Sequence, residues 1–255
     1  MTAVKSPQPY LSQANCVATF AIDKDIRHRS REIEHAFSAV VGGQANSTNV
    51  PDSMAPPIPR FAMQGGPKKI SISQVTAQLD MSFDDKSRSL KESFQTLKKN
   101  SDLFWKGICK LVPHNDRKDY GVIVAINFPV DQRSQDVAQA IFGKFLNAPT
   151  FGDVASCSIQ MGFLATEKKL FRNISLGSYE IRKGLINSNP AVTEMQQVIN
   201  FSEMDIEETG YEIKMDVNSR PRAVEGIPLT EGHGGEIIEE LEALIFSDAA
   251  QFLKW

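Results

Sequence analysis

The chain is poor in the residues that carry most recognisable site chemistry. Its three cysteines, Cys16, Cys109 and Cys157, lie far apart with no CxxC or CxH spacing. That argues against a disulfide framework and a cysteine-rich zinc site, and leaves buried thiols as the plain expectation. Histidine is as sparse, with four residues: His28, His35, His114 and His233. His28 and His35 are seven apart, about 10 Å along a helix and too far to share one metal. No HxxxH or HExxH occurs. The sequence therefore assigns no catalytic residue, no metal and no cofactor, and an enzyme would need polar groups gathered from dispersed positions. Long apolar runs are also missing. Nothing approaches the roughly 18 consecutive apolar residues of a membrane helix, and MTAVKSPQPYLSQ at the start lacks the apolar core of a signal peptide. A cytoplasmic protein without a membrane partner is the expectation.

Phosphate loops and nucleophile elbows are absent as well. GGQANS at Gly42 and QGGPKK at Gln64 to Lys69 carry glycines, but neither follows a strand and opens a helix. QGGPKK reads as a turn between strands with solvated lysines. ISLGSYE at Ile174 has one glycine in a strand-like run and no GxSxG. The paired acids Asp84–Asp85, Glu207–Glu208 and Glu239–Glu240 lie in polar settings and read as surface charge.

What is present is ample core, at 41% hydrophobic content. ANCVATFAI, Ala14 to Ile22, reads as a buried strand. Ile26, Ile33, Phe37 and Val40 then share one helical face, and Gly42 and Gly43 supply the stop. The polar, proline-rich stretch from Gln44 to Pro59 is a loop, and Arg60 to Met63 a short strand. KISISQVTAQLDMSF, Lys69 to Phe83, alternates as a strand whose parity changes near Gln74, which implies a bulge or turn there.

A long amphipathic helix over 87–112 follows, with Leu90, Phe94, Leu97, Phe104, Ile108 and Leu111 on a seam interrupted by Ser101. Barely three heptads with a serine in the seam favour packing on a sheet over a coiled coil. Lys91, Lys98, Lys99 and Lys106 fall mainly off the seam, as a solvated face or a nucleic-acid stripe. Trp105 lies beside the seam, where it either plugs a core gap or meets a partner; tryptophan's usual burial favours the core.

HNDRKDY, His114 to Tyr120, reads as a charged linker before the strand YGVIVAINFPV. A helix over Ser134 to Leu146 carries Val137, Ile141 and Phe145 on one stripe. Strands follow at Ala155 to Ala165, Ser175 to Arg182, Gln197 to Glu203 and Glu208 to Val217. RPRAVEGIPLTEGHGG is a loop leading to a last helix from Glu236 to about Trp255, with Ile238, Leu241, Ile245 and Phe252 inside. The predicted fold class is α+β: two βαββα-like halves, 1–116 and 117–255, of mainly antiparallel sheet packed against helices and expected to form one compact unit.

Charge is unevenly spread. Through Asp116 there are 15 Lys and Arg against 11 Asp and Glu, and after it 13 against 20. Between Glu203 and Asp248 the count is 13 acidic to 3 basic, which would repel nucleic acid from that face. In EGHGGEIIEEL, Glu231 to Leu241, the glycines end a loop and His233 reads as an exposed loop residue. Glu236, Glu239 and Glu240 form an acidic helix start and a potential contact surface.

In the order of its elements the chain resembles a sporadically distributed bacterial family of uncharacterised proteins of about 260 residues. The resemblance is carried by an early strand leading to a helix, by KKISISQVTAQLDMSF leading to a long helix with an aromatic near its middle, and by a strand ending in Asn in YGVIVAIN. It implies a defence-associated or mobile-element role and assigns no catalytic residue.

The leading expectation is a non-enzymatic interaction or assembly component, in which helices and sheet edges bind a protein partner or a second copy of the chain. The residues proposed to bind are Lys91, Lys98, Lys99, Trp105, Lys106, Glu236, Glu239 and Glu240. The alternative is a nucleic-acid-binding module using the basic face of helix 87–112, with Lys68 and Lys69 beside it.

Overall fold

The computed structural model describes residues 8–51, 53–146, 152–183 and 204–248. Among these, nine strands form one antiparallel sheet that packs with five helices, an α+β fold. In chain order the elements are β1 (Tyr10–Phe20), α1 (Ser30–Val41), β2 (Asn46–Ser47), β3 (Phe61–Gly65), β4 (Lys68–Ile72), β5 (Thr76–Ser82), α2 (Leu90–Leu111), β6 (Arg117–Pro129), α3 (Ser134–Phe145), β7 (Ser158–Ala165), β8 (Leu170–Lys183), β9 (Asp205–Asn218), α4 (Arg220–Val224) and α5 (His233–Ala243). A π-helical turn, Leu244–Asp248, continues α5.

The strand order β2-β3-β4-β5-β1-β6-β9-β8-β7 is nearly a palindrome about the β1/β6 pair. After its first strand and helix the first half runs through four strands, β2 to β5, and the second half through three, β7 to β9; the short β2 lies within the stretch expected to be a loop, and β4 and β5 replace one expected strand. The reason for that replacement is local. The parity change near Gln74 is a full turn: Ser73 N donates to Thr76 O at 2.8 Å, and Ser73 Oγ accepts from Val75 N at 3.1 Å and Thr76 N at 2.9 Å. One predicted strand is thus the hairpin β4–β5, paired Ile70 to Leu79 and Ile72 to Ala77. QGGPKK is the β3–β4 turn, with Gly66 at φ +58, where a side chain would be strained.

The described residues fall into two compact units. One takes those within Tyr10–Ile126, Gln160–Ile174 and Lys214–Trp255; the other takes those within Asn127–Ile159 and Ser175–Ile213. In the larger unit α1, α2 and α5 cover one face of the sheet. Alternate residues of β1 and β5, among them Cys16, Ala18, Leu79 and Met81, are buried beneath them. Phe37 of α1 stacks on Phe104 of α2 at 5.5 Å. Gly107 makes that crossing possible: a Cβ there would lie 2.8 Å from Ala36 O and 2.7 Å from the Phe37 ring. α1 ends at Gly42, φ +63, the left-handed cap its sequence announces.

The other face of β1 and β5 is polar, with Asn15 Nδ2 and Gln78 Nε2 (2.8 Å) both donating to Asp80. In the smaller unit α3 buries Val137, Ala138 and Ile141, and Tyr179 donates to Glu208 at 2.7 Å.

Three sequence expectations need correction. HNDRKDY is not all linker, because β6 begins at Arg117. The Arg117 side chain is buried and donates to the carbonyls of Cys109 (2.8 Å) and Val112 (3.1 Å), a cation on the C-terminal end of α2. RPRAVEGIPLTEGHGG contains the short helix α4, and α5 starts at His233 rather than Glu236. Lys68 is half-buried rather than freely solvated: its ammonium donates to Val40 O at the end of α1 and to Asn100 Oδ1 at 3.1 Å. The predicted strand Gln197 to Glu203 and Phe252 lie outside the described residues.

Candidate interaction surfaces

α2 owes its start to a full capping box. Ser89 Oγ accepts from Glu92 N at 3.2 Å, and Glu92 Oε2 accepts from Ser89 N at 2.9 Å. From there its 22 residues bury one stripe and leave Lys91, Lys99 and Lys106 exposed and Lys98 half-buried. α5 packs alongside it and presents Glu236, Glu239 and Glu242.

The basic and acidic surfaces that the sequence suggests separately therefore adjoin each other. Lys98 Nζ meets Glu242 Oε2 at 2.8 Å, and a groove of about 380 Å³ between the helices is lined by Gln95, Lys98, Lys99, Asp102, Gly234 and Glu239. Lys106 pairs with Asp102 at 2.8 Å. Such exposed pairs add at most about 1 kcal/mol each, and their chief effect here is to offset the positive potential of the α2 lysines.

Two of the eight proposed binding residues point inward. Trp105 is 2% exposed; its Nε1 donates to Glu231 O at 2.9 Å and its ring lies 4.6 Å from that of Tyr120. Glu240 is 1% exposed, with Lys168 Nζ at 2.5 Å and the Arg172 guanidinium on its other oxygen. Neither is available to a partner. Glu239, one residue away, is exposed, so the pair is not uniformly surface charge.

His233 is likewise not an exposed loop residue. It opens α5, is 0% exposed, and stands edge-on to Trp105 at 6.2 Å. Arg222 Nη1 lies 2.9 Å from its Nδ1, and Glu236 Oε2 lies 3.2 Å from the same atom and pairs with Arg222 at 2.8 Å. A nitrogen that accepts from Arg222 holds its proton on Nε2, which is buried without a hydrogen-bond partner among the described residues.

Burial, then the neighbouring Arg222 charge, lowers the His233 pKa from its ordinary 6.5, against the opposing pull of Glu236. The unfolded chain therefore takes up a proton first as pH falls. Stability is fully present above pH 6.5 and is lost as pH falls from there through the lower folded value. Glu236, whose pKa is lowered from 4.5 by Arg222 and His233 against the cost of burial, contributes stability that is present above pH 4.5 and is lost as pH falls from there through its own lower folded value. Urea unfolding at a series of pH values should show this decline, and the difference between wild type and His233→Gln should isolate it. Parallel profiles for the two proteins would refute it.

The buried hydroxyl and thiol groups around Tyr120 are poorly suited to covalent chemistry. Tyr120 Oη and Ser101 Oγ bond at 2.7 Å inside the core, so the serine that interrupts the α2 seam has a buried partner. Cys16 beside them is fully buried, and desolvation pushes its pKa up to about 12, which keeps it a thiol. Among the described residues no group of three or more His, Cys, Asp or Glu side chains is arranged to hold a metal ion, and no helix is long and apolar enough to cross a membrane.

The sequence reading names sheet edges without choosing one, and the two edges are unequal. β2 is a two-residue strand. β7 is eight residues, SIQMGFLA, with no charged residue and no proline, and the pattern of its burial is exposed or intermediate throughout. In its stretch within the larger unit, Gln160 to Ala165, the neighbours Phe163 (45%) and Leu164 (59%) are both exposed. Neighbours on a strand face opposite sides of a sheet, so β7 exposes one large apolar side chain on each side there. The signal available beforehand is the absence of charge from an eight-residue strand; that it is an edge follows only from the topology. No family model, curated protein or solved structure matches the chain.

Proposed function

We propose that the chain is a non-enzymatic interaction or assembly component, and that its partner adds a strand along β7. The observation that carries this reading is that β7 is an edge with no strand beyond it among the described residues. Folded proteins blunt their exposed edges with short strands, lysines, prolines or bulges, because a row of free N–H and C=O groups recruits other chains. β2 is short in this way, whereas β7 is longer and uncharged, with Phe163 exposed on one side and Leu164 on the other. An edge left in that state is suited to β-augmentation, in which backbone hydrogen bonds supply affinity and alternate side chains supply selectivity.

The family resemblance supports a place as accessory to a bacterial defence or mobile-element system. Nucleic-acid binding through the α2 lysines has less support, because Asp102, Glu239 and Glu242 share their surface.

The test compares three forms of the purified chain for a partner of defined stoichiometry: wild type, Leu164→Lys on β7, and the double variant Lys98→Glu/Lys99→Glu on α2. Retention by wild type and the helix variant, with loss by Leu164→Lys, is the expected result. Equal recovery by Leu164→Lys, loss on the helix variant alone, or a chain that is monomeric and partnerless would overturn the reading.

A further inference from the structure

We infer that the strand added at β7 is β7 of a second copy of this chain, joined antiparallel about a two-fold axis. The inference rests on the strand-addition reading and names its partner.

Three features favour a second copy. Like charges facing each other are what normally keep identical edges apart, and Gln160 to Ala165 carries none, so self-pairing meets no repulsion along the strand. Side-chain placement is self-complementary. About a two-fold perpendicular to the sheet, each residue faces the same side in both copies. Met161 and Phe163 of one copy then lie beside Met161 and Phe163 of the other on one face, and the two Leu164 side chains share the opposite face.

Closure is the third feature. A head-to-tail union of β7 with the other sheet edge would propagate into a filament, but that edge is the two-residue β2 and offers almost no ladder. Among the described residues the isologous β7–β7 union is the pairing left for the edges, and it ends at two copies. Antiparallel pairing also sends the two β7–β8 turns, with Lys168 and Lys169, to opposite ends of the joint, so these cations do not oppose each other.

A joint of about six residues per copy is small beside the roughly 800 Å² per partner of a standard interface, so a weak, micromolar dimer is expected. The experiment is sedimentation equilibrium of the full chain from about 1 to 300 μM, a range set around that weak class. It is run on wild type and Leu164→Lys, with amide hydrogen exchange of the β7 peptides at both ends of the range. Leu164 is more than half exposed, so the lysine should leave the melting temperature unchanged; Gln160→Lys, also exposed, serves as a second variant.

A monomer–dimer equilibrium, slowed β7 exchange in the dimer, and dimerisation weakened at least tenfold in both variants is the result expected. A wild type that stays monomeric with freely exchanging β7 amides overturns the second copy and leaves strand addition by another protein standing. A monomer whose β7 amides are protected at every concentration overturns both, since the chain then covers its own edge. A dimer indifferent to both variants places the contact elsewhere and also overturns the inference.

Discussion

Replacing Trp105 by alanine is expected to destabilise the protein by about 3–5 kcal/mol, within the range for deleting a buried aromatic. For a chain of this size that lowers the melting temperature by about 6–20 °C. The indole is the largest fully buried side chain among the described residues and holds three elements of the larger unit together. Its ring lies on Tyr120 of β6, its Nε1 reaches the carbonyl before α5, and Gly234 of α5 sits so close that a Cβ there would fall 2.6 Å from the indole. Gly234, packed against the ring, has no side chain with which to fill the void. Thermal unfolding followed by circular dichroism would check the loss, and Trp105→Phe should recover part of it. If Trp105 were a partner-binding residue, the alanine variant would instead keep its melting temperature and lose only association.

How much of this was legible in sequence depends on where each constraint lies. α2 could be read because its apolar period is local. The same holds for the stop at Gly42 and the turn at Gln64 to Lys69, whose backbone demands are met within a few residues. The polar interior was not legible. His233 is buried because Arg222, eleven residues away, and Trp105, on another helix, enclose it. Ser101 looked like a flaw in a seam until Tyr120 supplied its bond. Glu239 and Glu240 are chemically identical neighbours, and only the arrival of Lys168 and Arg172 from the β7–β8 hairpin decides which faces in. Edge status is less local still. SIQMGFLA has the composition of a central strand, and its exposure is a property of its neighbours in the sheet.

Reversing charge at Glu240 and at Glu239 should give opposite answers from adjacent positions. Glu239→Lys changes an exposed side chain that lines the α2–α5 groove, and a shift within about 0.5 kcal/mol is expected. Glu240→Lys puts an ammonium where a carboxylate now sits 1% exposed between two cations, and a loss of about 3–5 kcal/mol is expected, as for other uncompensated buried charges. Glu240→Gln should cost less than the reversal, because Lys168 and Arg172 are partly exposed and can turn towards water once the carboxylate is gone. Urea midpoints of the three variants at pH 7 give the comparison directly. The order Glu239→Lys, Glu240→Gln, Glu240→Lys in rising cost is expected, and equal effects at the two positions would mean that Glu240 is not held inside. The comparison also bears on β7: Lys168 and Arg172 flank the hairpin that presents the strand, so Glu240 anchors the base of the proposed docking edge to α5. Glu240→Gln should therefore speed amide exchange in β7 and β8 more than in β4 and β5, a gradient that a uniform loss of stability would not produce.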